Sequence, residues 1–248
     1  MAFFDSLKNK ITPTLPKKGL FESDIPIQKN NWRELFSACL GKVCTNQLRC
    51  SDLVVKNQNW SVDFQKETIT FGSTEYLLQF IGNESNISGT WLWAWNNINQ
   101  YPDNIIKLAN SLHTMGEQWQ LEPFTTDSLD LTEEINGYTL STLACGLSDQ
   151  HICYYRCTHN SGSAFIAFSG IPNEVFAPVN IQEFTSITMQ CIQQFSINHK
   201  IFIESFLFQN DTPYEWKNDS IIAHFAQDLQ IDFEQLETTS RICNMKTI

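Results

Sequence analysis

Apolar residues first recur at helical spacing at Trp32, Leu35, Phe36, Cys39, Leu40 and Val43. This i, i+3, i+4, i+7 stripe predicts an amphipathic helix with one buried face. Asn30 and Asn31 stand before it as cap candidates, because a short amide can accept from first-turn N–H groups. The period then drops to two. Trp60–Phe64 alternates, and Thr68–Phe71 comes next across a short polar turn, which predicts a hairpin. Tyr76–Ile81 and Thr90–Asn96 predict two further strands, with Gly82–Gly89 as the loop between them. Four short strands in succession predict an antiparallel meander.

Helical spacing returns after Pro102, a residue tolerated in a first turn. Ile105, Leu108, Ala109, Leu112, Gly116 and Trp119 line that helix. A second helix is predicted from Asp130, with Glu133 three residues on as in a capping box. Leu131, Ile135, Tyr138, Thr142 and Cys145 make one stripe, and Leu140, Leu143 and Leu147 another. A helix apolar on two sides belongs at the centre of a fold. Ile152–Cys157 and Ala164–Ser169 predict a hairpin turning at His159–Gly162. Asn180 and Glu183 cap the next helix, striped by Ile181, Phe184, Ile187, Cys191 and Phe195. Segment 198–208 fits both periods, and the helix is preferred. Tyr214–Trp216, Ile221–Phe225, Leu229–Phe233 and Arg241–Met245 predict short strands.

Residues 1–30 form a lead segment. Phe3, Phe4, Leu7 and Ile11 fit a short amphipathic helix there, and Pro13, Pro16 and Pro26 interrupt regular structure beyond it. Residues 31–248 predict one globular domain, with a subdivision into 31–170 and 171–248 left open. The expected class is α+β: an antiparallel sheet, from the meander and the later hairpins, packed with four to five helices.

Composition supplies the core for such a fold: 42% hydrophobic residues, 18 Phe and 7 Trp. The net charge of −11 changes the picture of partners. Negative charge repels phosphate backbones and anionic bilayers, so neither nucleic acid nor a membrane is expected. A basic protein partner would be steered inward, although acidity also serves solubility alone. No apolar run approaches the ~18 residues of a membrane span. Met1–Lys10 lacks an apolar stretch of signal-peptide length, and a cytoplasmic location is expected. The eight cysteines are then expected as free thiols.

Few residues suggest chemistry. Trp91, Trp93 and Trp95 would share one face of a strand. Such a row could stack sugars or bases. Leu92 and Ala94 make the opposite face apolar too, which favours a core strand whose indole N–H groups find partners. His151, Cys153, Cys157 and His159 are all potential zinc ligands. Strand rise sets the outer pair about 26 Å apart, so no metal site is expected. His151 beside Cys153 also suggests an activated thiol, but a third orienting group is not evident. The acidic cluster Asp228, Asp232, Glu234 and Glu237 fits a charged outer strand face better than acid–base work. Nucleophile-elbow, phosphate-loop and dinucleotide-binding motifs are absent. No catalytic residue is assigned and no cofactor is expected.

The segment Thr90-Trp-Leu-Trp-Ala-Trp95 resembles a bacterial protein family of unknown function whose signature is a Thr-Trp-x-Trp-Ala-Trp strand. Trp60-Ser-Val-Asp-Phe64, Thr68-Ile-Thr-Phe-Gly72, Gly82 and the helix after Pro102 extend the resemblance over roughly 60–170. It implies no activity and no catalytic residues. The functional expectation is a non-catalytic cytosolic interaction protein of the inhibitor or immunity type, binding a basic partner. The alternative is an enzyme or small-molecule binder with a pocket near Trp91–Trp95.

Overall fold

The computed structural model describes residues 19–236 and 239–248. The helix expected around Phe3–Ile11 lies outside the described residues, as does Glu237. The described residues form six α-helices and eleven strands, arranged as an α+β fold with two antiparallel sheets.

Helix α1 spans Trp32–Cys50 and continues as a wider turn through Ser51–Val55. Asn31 caps it, accepting from the Glu34 N–H at 3.2 Å. Burial goes beyond the expected single face: Leu35 to Gly41 are all buried, so the helix is surrounded. Two glycines make this possible. A Cβ on Gly41 would lie 2.5 Å from Phe206 Cγ, and one on Gly146 would lie 2.4 Å from Cys39 Sγ. Small residues there let neighbouring helices approach closely.

The first sheet holds β1 (Trp60–Asp63), β2 (Thr68–Phe71), β3 (Thr74–Ser85), β4 (Thr90–Trp93), β5 (Ser128–Asp130), β6 (Cys153–His159) and β7 (Gly162–Ser169). Strand β3 is its spine. β7 pairs along one edge; the other edge is shared, β2 taking Thr74–Leu77 and β4 taking Gly82–Ser85. The loop expected at Gly82–Gly89 therefore begins only after Ser85. Asn83 and Glu84 are tolerated inside the sheet because their side chains are bonded; Glu84 accepts from the Gly137 N–H at 2.7 Å. The strand expected over Thr90–Asn96 also stops early. Beyond Trp93 the chain enters a 3-10 turn, Ala94–Asn96, since β2 occupies the edge of β3 farther along.

After a 3-10 turn at Asp103–Ile105 come α2 (Lys107–Trp119) and the single turn α3 (Glu122–Thr125). The helix expected from Asp130 starts later, as α4 (Gly137–Leu147). Asp130 belongs to β5, paired with Thr90, and the cap is Asn136 instead of the Asp130–Glu133 box. Asn136 Oδ1 accepts from Tyr138 and Thr139 at 3.0 and 3.1 Å, and Thr139 Oγ1 accepts in return from the Asn136 N–H. These are first-turn donors that would otherwise be unpaired.

Helices α5 (Ile181–Gln194) and α6 (His199–Gln209) come next, then a second sheet of β8 (Tyr214–Lys217), β9 (Ser220–His224), β10 (Asp228–Leu236) and β11 (Thr239–Thr247). Segment 198–208 is helical, with Ile201 to Leu207 all buried. The first sheet is covered on both faces. Phe165 and Ala167 join a core that runs through α1, α4, α5 and α6 to Ile221, Ile231 and Phe233 of the second sheet. Ile166 and Phe168 join a smaller one with Phe71, Leu78, Ile105 and Val175.

Candidate functional site

Trp91 and Trp93 point from β4 into the larger core, 0% and 1% exposed. Their rings meet edge to face at 5.3 Å, Trp91 reaches Phe165, and Trp93 reaches Phe124. Gly82 lies flat beneath Trp91, where a Cβ would come within 2.3 Å of the indole. No ligand can stack on rings so enclosed. Trp95 is parted from this row by the 3-10 turn; it is half-buried against His113, ring centroids 4.2 Å apart. Trp93 Nε1–H donates to the Pro123 carbonyl at 2.8 Å. The expectation of a partner for each indole fails twice, since Trp91 Nε1 and Trp95 Nε1 are buried without one among the described residues.

His151 and Cys153 engage different neighbours. The imidazole stacks on Phe176 at 4.5 Å. The Cys153 thiol is buried beside the Asn46 carbonyl at 3.7 Å. Its hydrogen bond with Cys50, and then burial, push its pKa well above the usual thiol range. A thiol held protonated in this way is a poor nucleophile. Farther along β6, burial raises Cys157 to about 12. His159 stands at the hairpin end, Nε2 2.9 Å from Asn83 Oδ1 and Nδ1 3.2 Å from Ser161 Oγ. Among the described residues no group of three or more His, Cys, Asp or Glu side chains is placed to hold a metal ion.

The acidic cluster on the second sheet is taken up by its own neighbours. Asp232 accepts from Gln230 at 2.6 Å, Ser220 at 2.7 Å and Asn244 at 2.9 Å, and these bonds lower its pKa to about 2. Asp228 meets His224 Nδ1 at 2.9 Å. Glu234 lies opposite Arg241 on β11.

Two surface features escaped the sequence reading. One is a cleft of ≈ 300 Å³ between α2 and the segment leading into β6, lined by Lys107, Ser111, Met115, Asp149, Gln150 and Ile152. Gln79 sits in its wall, accepting from the Leu108 N–H and donating to the Asn104 carbonyl. Trp91, Trp93 and Trp95 do not line this cleft. The other is a run of one charge. Between Lys107 and Arg156 the chain carries seven carboxylates and no Lys or Arg. All seven (Glu117, Glu122, Asp127, Asp130, Glu133, Glu134 and Asp149) are exposed. Five of them flank or belong to α3, β5 and the loop into α4. Among the described residues strand β5 pairs with β4 alone and leaves an open sheet edge. Of the cations near this ribbon, Arg33 is bonded to Glu134 at 3.1 Å and Lys29 lies over the Phe21 and Trp119 rings. A count of charges along the chain would have found it.

A family model, described as a family of unknown function (DUF6882), matches residues 33–171. No curated protein and no solved structure matches the chain. No helix among the described residues is long and apolar enough to cross a membrane.

Proposed function

The chain belongs to that family of unknown function, and on this premise we propose that it is a non-catalytic, cytoplasmic interaction protein that receives a basic protein partner. An inhibitor or immunity role is the form this takes. The observation that supports it is the acidic ribbon from Glu117 to Glu134, exposed along an open sheet edge. Carboxylates there would raise the rate of encounter with a cationic surface, and the edge of β5 offers backbone groups to a docked strand. The thiols and imidazoles considered for catalysis are engaged in packing or held protonated, which weighs against covalent chemistry on them.

A partner recovered from the native host tests this. Its association rate should fall as salt rises, because charges farther apart than ~8–10 Å are screened in ordinary buffers. Asp127→Lys combined with Asp130→Lys should slow association further. An acidic partner whose association ignores both salt and charge reversal would refute the reading. The cleft beside α2 favours a second reading, a small-molecule binder, since its volume sits at the lower end of the ~300–1,000 Å³ of ligand pockets. Thermal shifts with a metabolite set, lost on Ser111→Trp, would support that reading instead.

A further inference from the structure

The cleft between α2 and the segment leading into β6 holds one charge of each sign. Among its lining residues Lys107 alone is cationic and Asp149 alone is anionic. They stand on opposite walls, both exposed, and neither side chain has a hydrogen bond or ion pair among the described residues. Their backbones are held in place. Gln79 ties the first turn of α2 to β3, through the Leu108 N–H at 3.0 Å and the Asn104 carbonyl at 2.6 Å. Across the cleft, the Gln150 N–H donates to Ser148 Oγ at 3.1 Å and closes a turn around Asp149. The floor is apolar: Leu112 and Ile152 are 1% and 5% exposed, with Met115 and Leu147 half-buried beside them.

We propose that this cleft binds a zwitterionic amino acid with an apolar side chain, its carboxylate on Lys107 and its ammonium on Asp149. The assignment rests on the reading of the cleft as a small-molecule site and names the ligand class. A small ligand that carries both charges answers both walls at once. A simple anion meets repulsion from Asp149, and a polyamine meets it from Lys107. Charged hydrogen bonds at the two walls fix the orientation, while the floor takes the apolar body. The volume of ≈ 300 Å³ lies at the lower limit of ligand pockets and suits a molecule of amino-acid size better than a nucleotide. Met115 is unbranched and flexible, so it can repack around aliphatic, thioether or aromatic side chains. Ser111 Oγ donates to the Lys107 carbonyl at 2.9 Å and keeps its lone pairs for the ligand ammonium.

Calorimetric titration of the full chain tests this with L-leucine, L-methionine and two leucine analogues that each lack one charge, 3-methylbutylamine and 4-methylpentanoate. Leucine and methionine should bind, and each analogue should bind about tenfold or more weakly, having lost one charged hydrogen bond. Lys107→Met should weaken leucine by a similar factor and leave 3-methylbutylamine no weaker. Asp149→Asn should weaken leucine and leave 4-methylpentanoate no weaker. Both side chains are exposed, so neither variant disturbs the core. Equal weakening of leucine and both analogues by either variant would overturn the pairing, and so would leucine binding that survives Ser111→Trp. If neither amino acid binds at millimolar concentration, the ligand class is wrong. A different metabolite that binds and is lost on Ser111→Trp would then keep the cleft as a site, and silence from every compound would remove both.

Discussion

Replacing Trp93 by Ala removes a side chain that is 1% exposed and closed in by Trp91 and Phe124. A buried indole takes ~150–250 Å² out of water. At ~25 cal/mol per Å² this is ~4–6 kcal/mol of transfer free energy, and measured truncations of this kind cost ~3–5 kcal/mol. The Pro123 carbonyl also loses its donor at 2.8 Å. For a chain of this length each kcal/mol moves Tm by ~2–4 °C, so Trp93→Ala should lower Tm by ~6–20 °C. Trp95 is the internal comparison. It is partly exposed and makes no hydrogen bond through Nε1 among the described residues. Part of its surface stays in water, so Trp95→Ala should cost less than Trp93→Ala and lower Tm by fewer degrees. Melts followed by circular dichroism, with urea midpoints on the same samples, measure both. If Trp93→Ala melts within a degree or two of wild type, or no lower than Trp95→Ala, Trp93 does not carry the core in the way its burial requires. The tryptophans would then have to be treated as a binding surface.

Other outcomes rest on single contacts. Gly41→Ala drives a methyl group to within 2.5 Å of Phe206, and the urea midpoint should fall by an amount corresponding to ~1–3 kcal/mol; an unchanged midpoint would mean that α1 and α6 are not locked together. Protein isolated without added oxidant should show eight alkylatable thiols after denaturation, as all eight cysteines are free; two native disulfides would contradict this. Asp232 has its pKa lowered to about 2 by hydrogen bonds, so it stabilises the fold above the ordinary carboxylate value near 3.8 and ceases to do so as pH falls through about 2; Asp232→Asn should therefore differ from wild type at pH 6 and converge on it near pH 2. Glu204 is the opposite case, raised from 4.5 first by burial despite bonds from Trp216 and Ile25. Its contribution is complete below 4.5 and declines as pH rises through the raised value, so the Tm of Glu204→Gln minus that of wild type should increase from pH 4 to 7, and a flat difference would disprove it.

Legible in the sequence was whatever a single segment decides for itself. The capping box at Asn180 and Glu183 could be read because both partners lie within one helical turn. In the structure Asn180 Oδ1 accepts from Glu183 N–H at 3.0 Å, and Glu183 Oε2 accepts back from the Asn180 N–H at 3.1 Å. The second-sheet strands were equally plain, since Leu229, Ile231 and Phe233 alternate with polar residues on a half-covered sheet. Strand ends were not legible. Polar Asn83, Glu84 and Ser85 look like a turn, yet they pair with β4 on one side and β7 on the other. Likewise, Asp130 resembles a helix cap until Thr90 claims it for an edge strand. Pairing that involves distant segments overrides local propensity, and no window of a dozen residues contains it.

For the same reason the candidate site was harder to read than the fold. The residues that looked chemical, Trp91, Trp93, His151 and Cys153, are rich in apolar or soft atoms, and this chain uses them to fill space. Polar chemistry sits where distant segments converge. Glu204 is fully buried and takes its donors from Ile25, 179 residues before it, and from Trp216 on the second sheet. A buried carboxylate must have its lone pairs answered. For Glu204 this is met by the tertiary packing of α6 against Ile25 and β8, so it leaves no spacing in the sequence. Charge along the surface is different. It needs no partner in the fold, it accumulates residue by residue, and the stretch from Lys107 to Arg156 displays it to anyone who counts. The acidic ribbon proposed as a docking edge can therefore be sought in related chains from sequence alone, whereas the partners of Glu204 require a fold in hand.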